Sequence, residues 1–269
     1  MRMSRAVLAR GIALAALAAA ALLAACTTVR VPPPPPVTAE TVGEVRPGSG
    51  ILKGYLAPEQ LPDSLALLPP PPDPKSARSK ADLEAFRAQP GEGDPRWAVA
   101  ARDVDLSFPS GLKSFGDILG VTIDSETTPN LAMLLRRSLS DAGLATYRAK
   151  DHYKRMRPFA LEKKATCYPD AEERARSDGS YPSGHASVGW AYALVLTEIA
   201  PDKADALLQR GYDFGQSRVV CRYHWQSDVE AGRMVGAAVF ARLQADPVFR
   251  QQLDLARKEV AAARGAAPQ

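Results

Sequence analysis

The stretch Pro182-Ser183-Gly184-His185 followed by ASVGWAYALVLTEIA, ending at Ala200, decides the fold. From Ser183 onward it is apolar on nearly every side, with Val188, Trp190, Tyr192, Leu194, Val195 and Leu196 pointing in all helical directions. A helix that is apolar all round is a buried central one. Pro201 stops it. Its first turn is different in character, polar and glycine-containing. Free backbone N–H groups at a helix start bind anions, and glycine lets an anion come close. Working outward, Lys203 to Gln216, Asp228 to Leu243 and the charged Gln251 to Ala263 continue as helices. Upstream, Thr128-Pro129 supplies an N-cap and an N1 proline. Leu131, Leu134, Leu135 and Leu139 follow at three-to-four spacing, with Gly143 expected to weaken or end the helix. Leu83, Phe86 and Arg87 start a short helix, and Trp97 to Leu106 fits another. There is no run of alternating strands and no internal repeat. The expectation is an all-α, single compact helical domain over residues 51–265.

The N-terminal part reads differently. Arg2, Arg5 and Arg10 precede an uninterrupted small and apolar run from Gly11 to Ala25. A basic segment before a short apolar one is the pattern of an export signal. The run has 15 residues, short of the ~20 that span a bilayer, which weighs against a retained signal anchor. Leu23-Ala24-Ala25-Cys26 resembles the lipobox of bacterial lipoproteins, which implies cleavage at residue 25 and acylation of Cys26. Ordinary cleavage after small residues is the alternative. Thr27 at the next position suggests, by the same resemblance, sorting to the outer membrane. Pro32 to Pro36 and the Thr-, Glu-, Gly- and Pro-rich Val37 to Gly50 then read as a semi-rigid tether over residues 26–50.

Composition narrows the function. Aromatic residues are 7% of the chain, which disfavours a stacking platform for nucleic acid. The 34 Lys and Arg stand against 30 Asp and Glu. Three of those cations lie in the leader, so the processed chain is close to neutral and no nucleic acid polymer is expected as a partner. Three cysteines make neither a disulfide-dense miniprotein nor a zinc ribbon.

Four local features carry chemistry. Lys150 and Arg157 are seven residues apart, two helical turns, and share a face if the helix persists, although Pro158 biases Arg157 toward extended backbone. Pro182-Ser183-Gly184-His185 opens the buried helix. Ser217-Arg218 adds another fixed cation. His224 and Asp228 stand four apart, a spacing at which a carboxylate can hold one imidazole nitrogen and present the other. Singly, each is unremarkable: Lys150 alone reads as a solvated helix cation, Arg157 and Arg218 as ion-pair partners, and His224 with Asp228 as a surface pair. Jointly they describe an anion site built from three cations, a helix N-terminus and two of the chain's three histidines. His152, the third, reads as a surface or rim residue. Ser217 reads as either a loop support or a phosphate contact.

The series Lys150-x6-Arg157-Pro158, Pro182-Ser183-Gly184-His185 and Ser217-Arg218-x5-His224-x3-Asp228 resembles the three-part signature of the PAP2 phosphatase superfamily, eleven identities at the right internal spacings. The segments Tyr55 to Ser64, Gly179-Ser180-Tyr181 and His224-Trp225-Gln226-Ser227-Asp228 are similar to the class A bacterial non-specific acid phosphatases. The resemblance spans about residues 54–245. It implies that His224 attacks phosphorus and forms a phosphohistidine, that Asp228 orients His224 through its other nitrogen, and that His185 protonates the leaving group and then activates water. It implies that Lys150, Arg157 and Arg218 hold the phosphoryl oxygens, with the Gly184 N–H and the Ser183 hydroxyl completing the cradle. No cofactor or metal is expected. The implied activity is a broad acid phosphatase acting on small phosphomonoesters in the periplasm, either as an outer-membrane lipoprotein or free, and forming a homo-oligomer. A vanadate-dependent haloperoxidase, a non-catalytic phosphate-binding lipoprotein and a membrane-lipid phosphatase are the competing readings. With Cys26 assigned to lipidation, Cys167 and Cys221 each adjoin a site motif. They are expected to form a disulfide in an oxidising compartment, two free buried thiols being the alternative.

Overall fold

The computed structural model describes residues 33–265, so the proposed signal segment, Cys26 and the first part of the tether lie outside the described residues. The compact unit begins at Pro35. Its helices are α1 (Ala39–Val42), α2 (Ser64–Leu67), α3 (Ala77–Arg87), α4 (Pro95–Arg102), α5 (Lys113–Leu119), α6 (Pro129–Leu144), α7 (Tyr147–Tyr153), α8 (Pro158–Glu162), α9 (Glu172–Arg176), α10 (Gly184–Ile199), α11 (Ala204–Val220), α12 (Gln226–Leu243) and α13 (Pro247–Ala263). Among the described residues there is no strand, only one isolated antiparallel bridge between Glu44 and Leu52. None of the described helices is long and apolar enough to cross a membrane.

The all-apolar helix is the hub. α10 packs against α11, α12 and α6, while α13 lies on α6. Val188, Tyr192, Val195 and Leu196 of α10 are buried in one core with Leu131, Leu135, Phe214, Val235 and Phe249. Close approach to α12 depends on missing side chains. A Cβ on Gly232 would strike the Ser183 carbonyl oxygen, and one on Gly236 the Ser187 carbonyl oxygen. The Ser187 hydroxyl donates to the Ala142 carbonyl (2.8 Å) and ties the hub to α6. The Ser183 N–H donates to the Asp228 carbonyl (2.9 Å) and ties the start of the hub to α12.

Several expectations change in detail. The tether was expected to run to residue 50. Residues 35–50 instead belong to the compact unit: α1 forms, Glu44 bridges Leu52, and the Pro36 carbonyl accepts a hydrogen bond from buried Gln252 (3.3 Å). These ties run through backbone groups, which composition does not reveal. The next residues are strapped to α6. The Asp141 carboxylate accepts from the Tyr55 and Leu56 N–H groups at 2.9 and 3.1 Å, and Arg137 donates to the Gly54 carbonyl. The helix through Lys150 does not persist to Arg157, whose backbone is extended as Pro158 implies. α7 ends at Tyr153 with Lys154 in the left-handed region (φ 45°), and Arg157 is the N-cap of α8 with Pro158 at N1. α6 ends at Leu144, one residue past Gly143. Cys167 and Cys221 are bonded to each other.

Gly236→Ala is expected to lower stability by ~1–3 kcal/mol, the cost of overpacking, because the obstructing atom is main chain. Gly143→Ala, whose new methyl would meet only the Val188 side chain at 3.9 Å, is expected to be neutral or to stabilise by up to ~1 kcal/mol. Urea midpoints of the two variants, at unchanged m-value, provide the comparison.

Candidate active site

Lys150, Arg157 and Arg218 are all buried, at 4%, 6% and 2% exposure. Three cations so placed repel one another and lose hydration, so each must be anchored. The anchors are mostly carbonyls. Lys150 Nζ donates to the Gly179 carbonyl, and Arg157 Nε donates to the Ala175 and Asp178 carbonyls at 2.9 and 3.1 Å. Arg157 Nη1 donates to the Tyr223 carbonyl (3.1 Å). Among the described residues the one carboxylate in contact is Asp178, whose Oδ2 lies 3.2 Å from Lys150 Nζ and 2.9 Å from Arg157 Nη2. Burial, and then the neighbouring Arg157, bring the Lys150 ammonium down to about 8.

Arg218 is different. Its guanidinium lies 4.7 Å from the centroid of the Tyr223 ring, yet its Nε and Nη1 are buried with no hydrogen-bond partner among the described residues. A buried unpaired donor costs roughly 1–3 kcal/mol, more when charged. Burial and the adjacent Arg157 lower the Arg218 guanidinium to about 10. Unpaired donors on a buried cation are free to receive an anion.

The helix N-terminus joins the cluster. Ser183 is the N-cap of α10 and its hydroxyl accepts from the Ala186 N–H (3.3 Å). That leaves the Gly184 and His185 N–H groups as orphan donors of the first turn. Glycine at 184 is not demanded by crowding, since a Cβ there would meet only Thr146 Oγ1 at 3.8 Å.

The two histidines are held by different carbonyls. His224 Nδ1 donates to the Ser180 carbonyl (2.8 Å). A carbonyl only accepts, so in the neutral ring the proton sits on Nδ1 and the Nε2 lone pair accepts from Arg157 Nη1 (3.0 Å). Burial, followed by Arg157, Lys150 and Arg218, holds His224 well below the ordinary imidazole range, so it is neutral at pH 7. His185 Nε2 donates to the Val104 carbonyl (3.0 Å), which leaves Nδ1 as the nitrogen for a mobile proton. Burial and Arg218 lower His185 too, while the Val104 carbonyl opposes them.

Asp228 was expected to hold His224 directly. Its Oδ2 lies 3.4 Å from Nδ1, but the hydrogen bond belongs to Ser180. His224 precedes α12, and Asp228, in the first turn, accepts instead from the Trp225 N–H (2.9 Å). A carboxylate at this position naturally reaches back to the helix start. Ser217 is buried and bonded to Asp103, to Arg96 Nη1 and to the Asp213 carbonyl, so it supports the fold rather than facing the anion site. His152 is exposed.

Asp178 is not legible in the sequence, and neither are Arg155 and Asp82. Arg155 Nη1 donates to Asp228 Oδ1 (2.6 Å) and to Ser227 Oγ (2.8 Å), and its Nη2 donates to Asp82 Oδ2 (2.8 Å). Asp82, on α3, also accepts from the Ser227 N–H and hydroxyl. Arg155 could have been suspected from its place two residues before Arg157. Asp82 carries no local signal at all. Burial pushes the Asp228 carboxyl up to about 6, with Arg155 opposing. Arg155→Met would strand two buried carboxylates and is expected to cost ~3–5 kcal/mol. Arg155→Lys, a single point of charge where a fork served two partners, should recover only part. Urea denaturation of both variants measures this.

The PAP2 superfamily model matches residues 130–250. The chain is 44% identical over 208 residues to a non-specific acid phosphatase of Salmonella typhimurium, covering 77% of this chain and 83% of that one. It is 41% identical over 231 residues to a non-specific acid phosphatase of Providencia stuartii, covering 84% and 93%. It is 40% identical over 206 residues to an acid phosphatase of Zymomonas mobilis, covering 76% and 78%. With that likeness along most of its length, and the three signature segments gathered at the start of α10, the chain belongs to the PAP2 superfamily, among the class A bacterial non-specific acid phosphatases.

Proposed function

We propose that this chain hydrolyses small phosphate monoesters of broad range, without a metal, through a phosphohistidine. The observation that carries the proposal is the buried Arg218, whose Nε and Nη1 find no partner among the described residues, beside Lys150 and Arg157 at an open helix start. Phosphoryl transfer asks a protein mainly for positioning and charge stabilisation, and three fixed cations supply the charge. The phosphoryl oxygens accept from Lys150, Arg157, Arg218, the Gly184 N–H and the Ser183 hydroxyl. The His224 Nε2 lone pair forms the bond to phosphorus as the ester P–O bond breaks. The leaving oxygen takes a proton from His185. A water then gives its proton to His185 and attacks phosphorus, the P–N bond breaks, and His224 returns neutral as phosphate departs. During the intermediate the His224 ring carries positive charge. The Ser180 carbonyl and the Asp228 carboxylate beside Nδ1 stabilise that charge.

The Cys167–Cys221 bond suits an oxidising compartment. With the export signal and lipobox of the sequence, it supports periplasmic residence on a lipid anchor at Cys26.

In excess EDTA the wild type should keep its activity on an aryl phosphate. His224→Ala should fall by a factor on the order of 10³ or more. His185→Ala should lose about 10²–10⁴ on an alkyl phosphate and less on p-nitrophenyl phosphate, whose leaving group needs little protonation. Full activity of His224→Ala would remove the nucleophile assignment. Because His185 must be charged and lies below its ordinary range, kcat/KM should rise as pH falls from 8 to 6. That rise should flatten in His185→Ala.

A further inference from the structure

The carboxylate of Asp178 sits where a phosphoryl oxygen would compete for the same donors. Its Oδ2 bridges Lys150 Nζ and Arg157 Nη2, two of the three cations of the cradle. Its side chain is 36% exposed, against 4% and 6% for the two cations, so it reaches in from the rim. The bridge is not what holds those cations in place. Lys150 is anchored by the Gly179 carbonyl, and Arg157 by the carbonyls of Ala175, Asp178 and Tyr223. Ser180, two residues on, holds His224 through its own carbonyl. The segment therefore positions the site with its main chain, and the Asp178 side chain adds negative charge to a place already fixed.

We propose that Asp178 is a built-in competing anion that sets the affinity of the cradle for phosphate and phosphomonoesters. The inference rests on the phosphate-cradle reading given above. In the resting site the carboxylate neutralises part of a buried triple positive charge. An arriving phosphate must displace it or lie beside it, and like charges at such distances oppose binding. Weaker holding of inorganic phosphate is useful to a hydrolase, because phosphate is the last product to leave. Arg218 Nε and Nη1 have no such bond among the described residues.

The test is Asp178→Asn in the full chain, a near-isosteric change that keeps every carbonyl named above. Inorganic phosphate is used as a competitive inhibitor of aryl phosphate hydrolysis, at fixed pH and ionic strength. Its Ki should fall about tenfold in the variant, equivalent to ~1.4 kcal/mol, a value moderated by the exposure of the carboxylate. KM should fall in the same direction, and phosphate should raise the melting temperature more than in wild type. Asp178→Ser, a second neutral variant, should show the same tighter Ki and serves if the first does not fold. Asp178→Glu should restore part of the weakening. An unchanged or higher Ki in folded neutral variants, or a loss confined to kcat, would overturn the inference and leave Asp178 as a structural ion pair. Absence of both hydrolysis and phosphate protection in the wild type would instead overturn the cradle reading itself.

Discussion

Three positive charges are crowded into a space that water barely reaches, and most of the surrounding structure answers that constraint. Removing a charge from water costs several kcal/mol unless it is paired or well hydrogen-bonded. Lys150 and Arg157 meet the requirement with carbonyls from residues 175–179 and with one carboxylate. Carbonyls are well suited to the task, since they solvate a cation without cancelling it. Charges held in this way are fixed but not neutralised, which is what the proposed phosphate cradle requires. Arg218 carries this furthest, with Nε and Nη1 unpartnered among the described residues and its guanidinium over the Tyr223 ring.

The same constraint explains why the segment between α8 and α10 is pinned so firmly. Its carbonyls at 175, 178, 179 and 180 reach Arg157, Lys150 and His224. The Cys167–Cys221 bond fastens it to the end of α11, three residues beyond Arg218. At its far end the Ser183 N–H is held by the Asp228 carbonyl. Gly232 lets α12 come close enough for that bond, because any side chain there would meet the Ser183 carbonyl. Packing of the hub and geometry of the anion site are thus one problem.

The hub, α6 and the C-terminal helices were legible because hydrophobic periodicity reports burial, and burial is what those helices do. The cluster of site residues was legible because its spacings are peculiar. How the residues meet was not. Lys150 and Arg157 come together across a turn with Lys154 in the left-handed region, not along a helix face. Asp228 spends one oxygen on the Trp225 N–H and the other on Arg155. Asp82 joins that network from more than seventy residues away in sequence. A lone aspartate in an ordinary amphipathic stretch looks the same whether it faces water or a buried arginine. Residues 35–50 were read as spacer for a related reason: proline- and glycine-rich composition describes local stiffness and is silent about the backbone groups that dock it.

The two imidazoles illustrate how one environment can serve opposite roles. Each gives one N–H to a main-chain carbonyl, Ser180 for His224 and Val104 for His185, so each tautomer is set by an acceptor that cannot titrate. Each is also pushed toward neutrality by burial and by the cations. Under the proposed mechanism neutrality is the requirement for His224, since a nucleophile needs its lone pair, and an obstacle for His185, since an acid needs its proton. In the proposed reaction the substrate resolves the difference: the phosphate brings the negative charge that the resting site lacks and favours the imidazolium of His185 when it is needed. Protonation of the acid is thereby coupled to occupation of the cradle. A resting site poor in negative charge gains most from that coupling, and Asp178 is the carboxylate that, among the described residues, touches two of its cations.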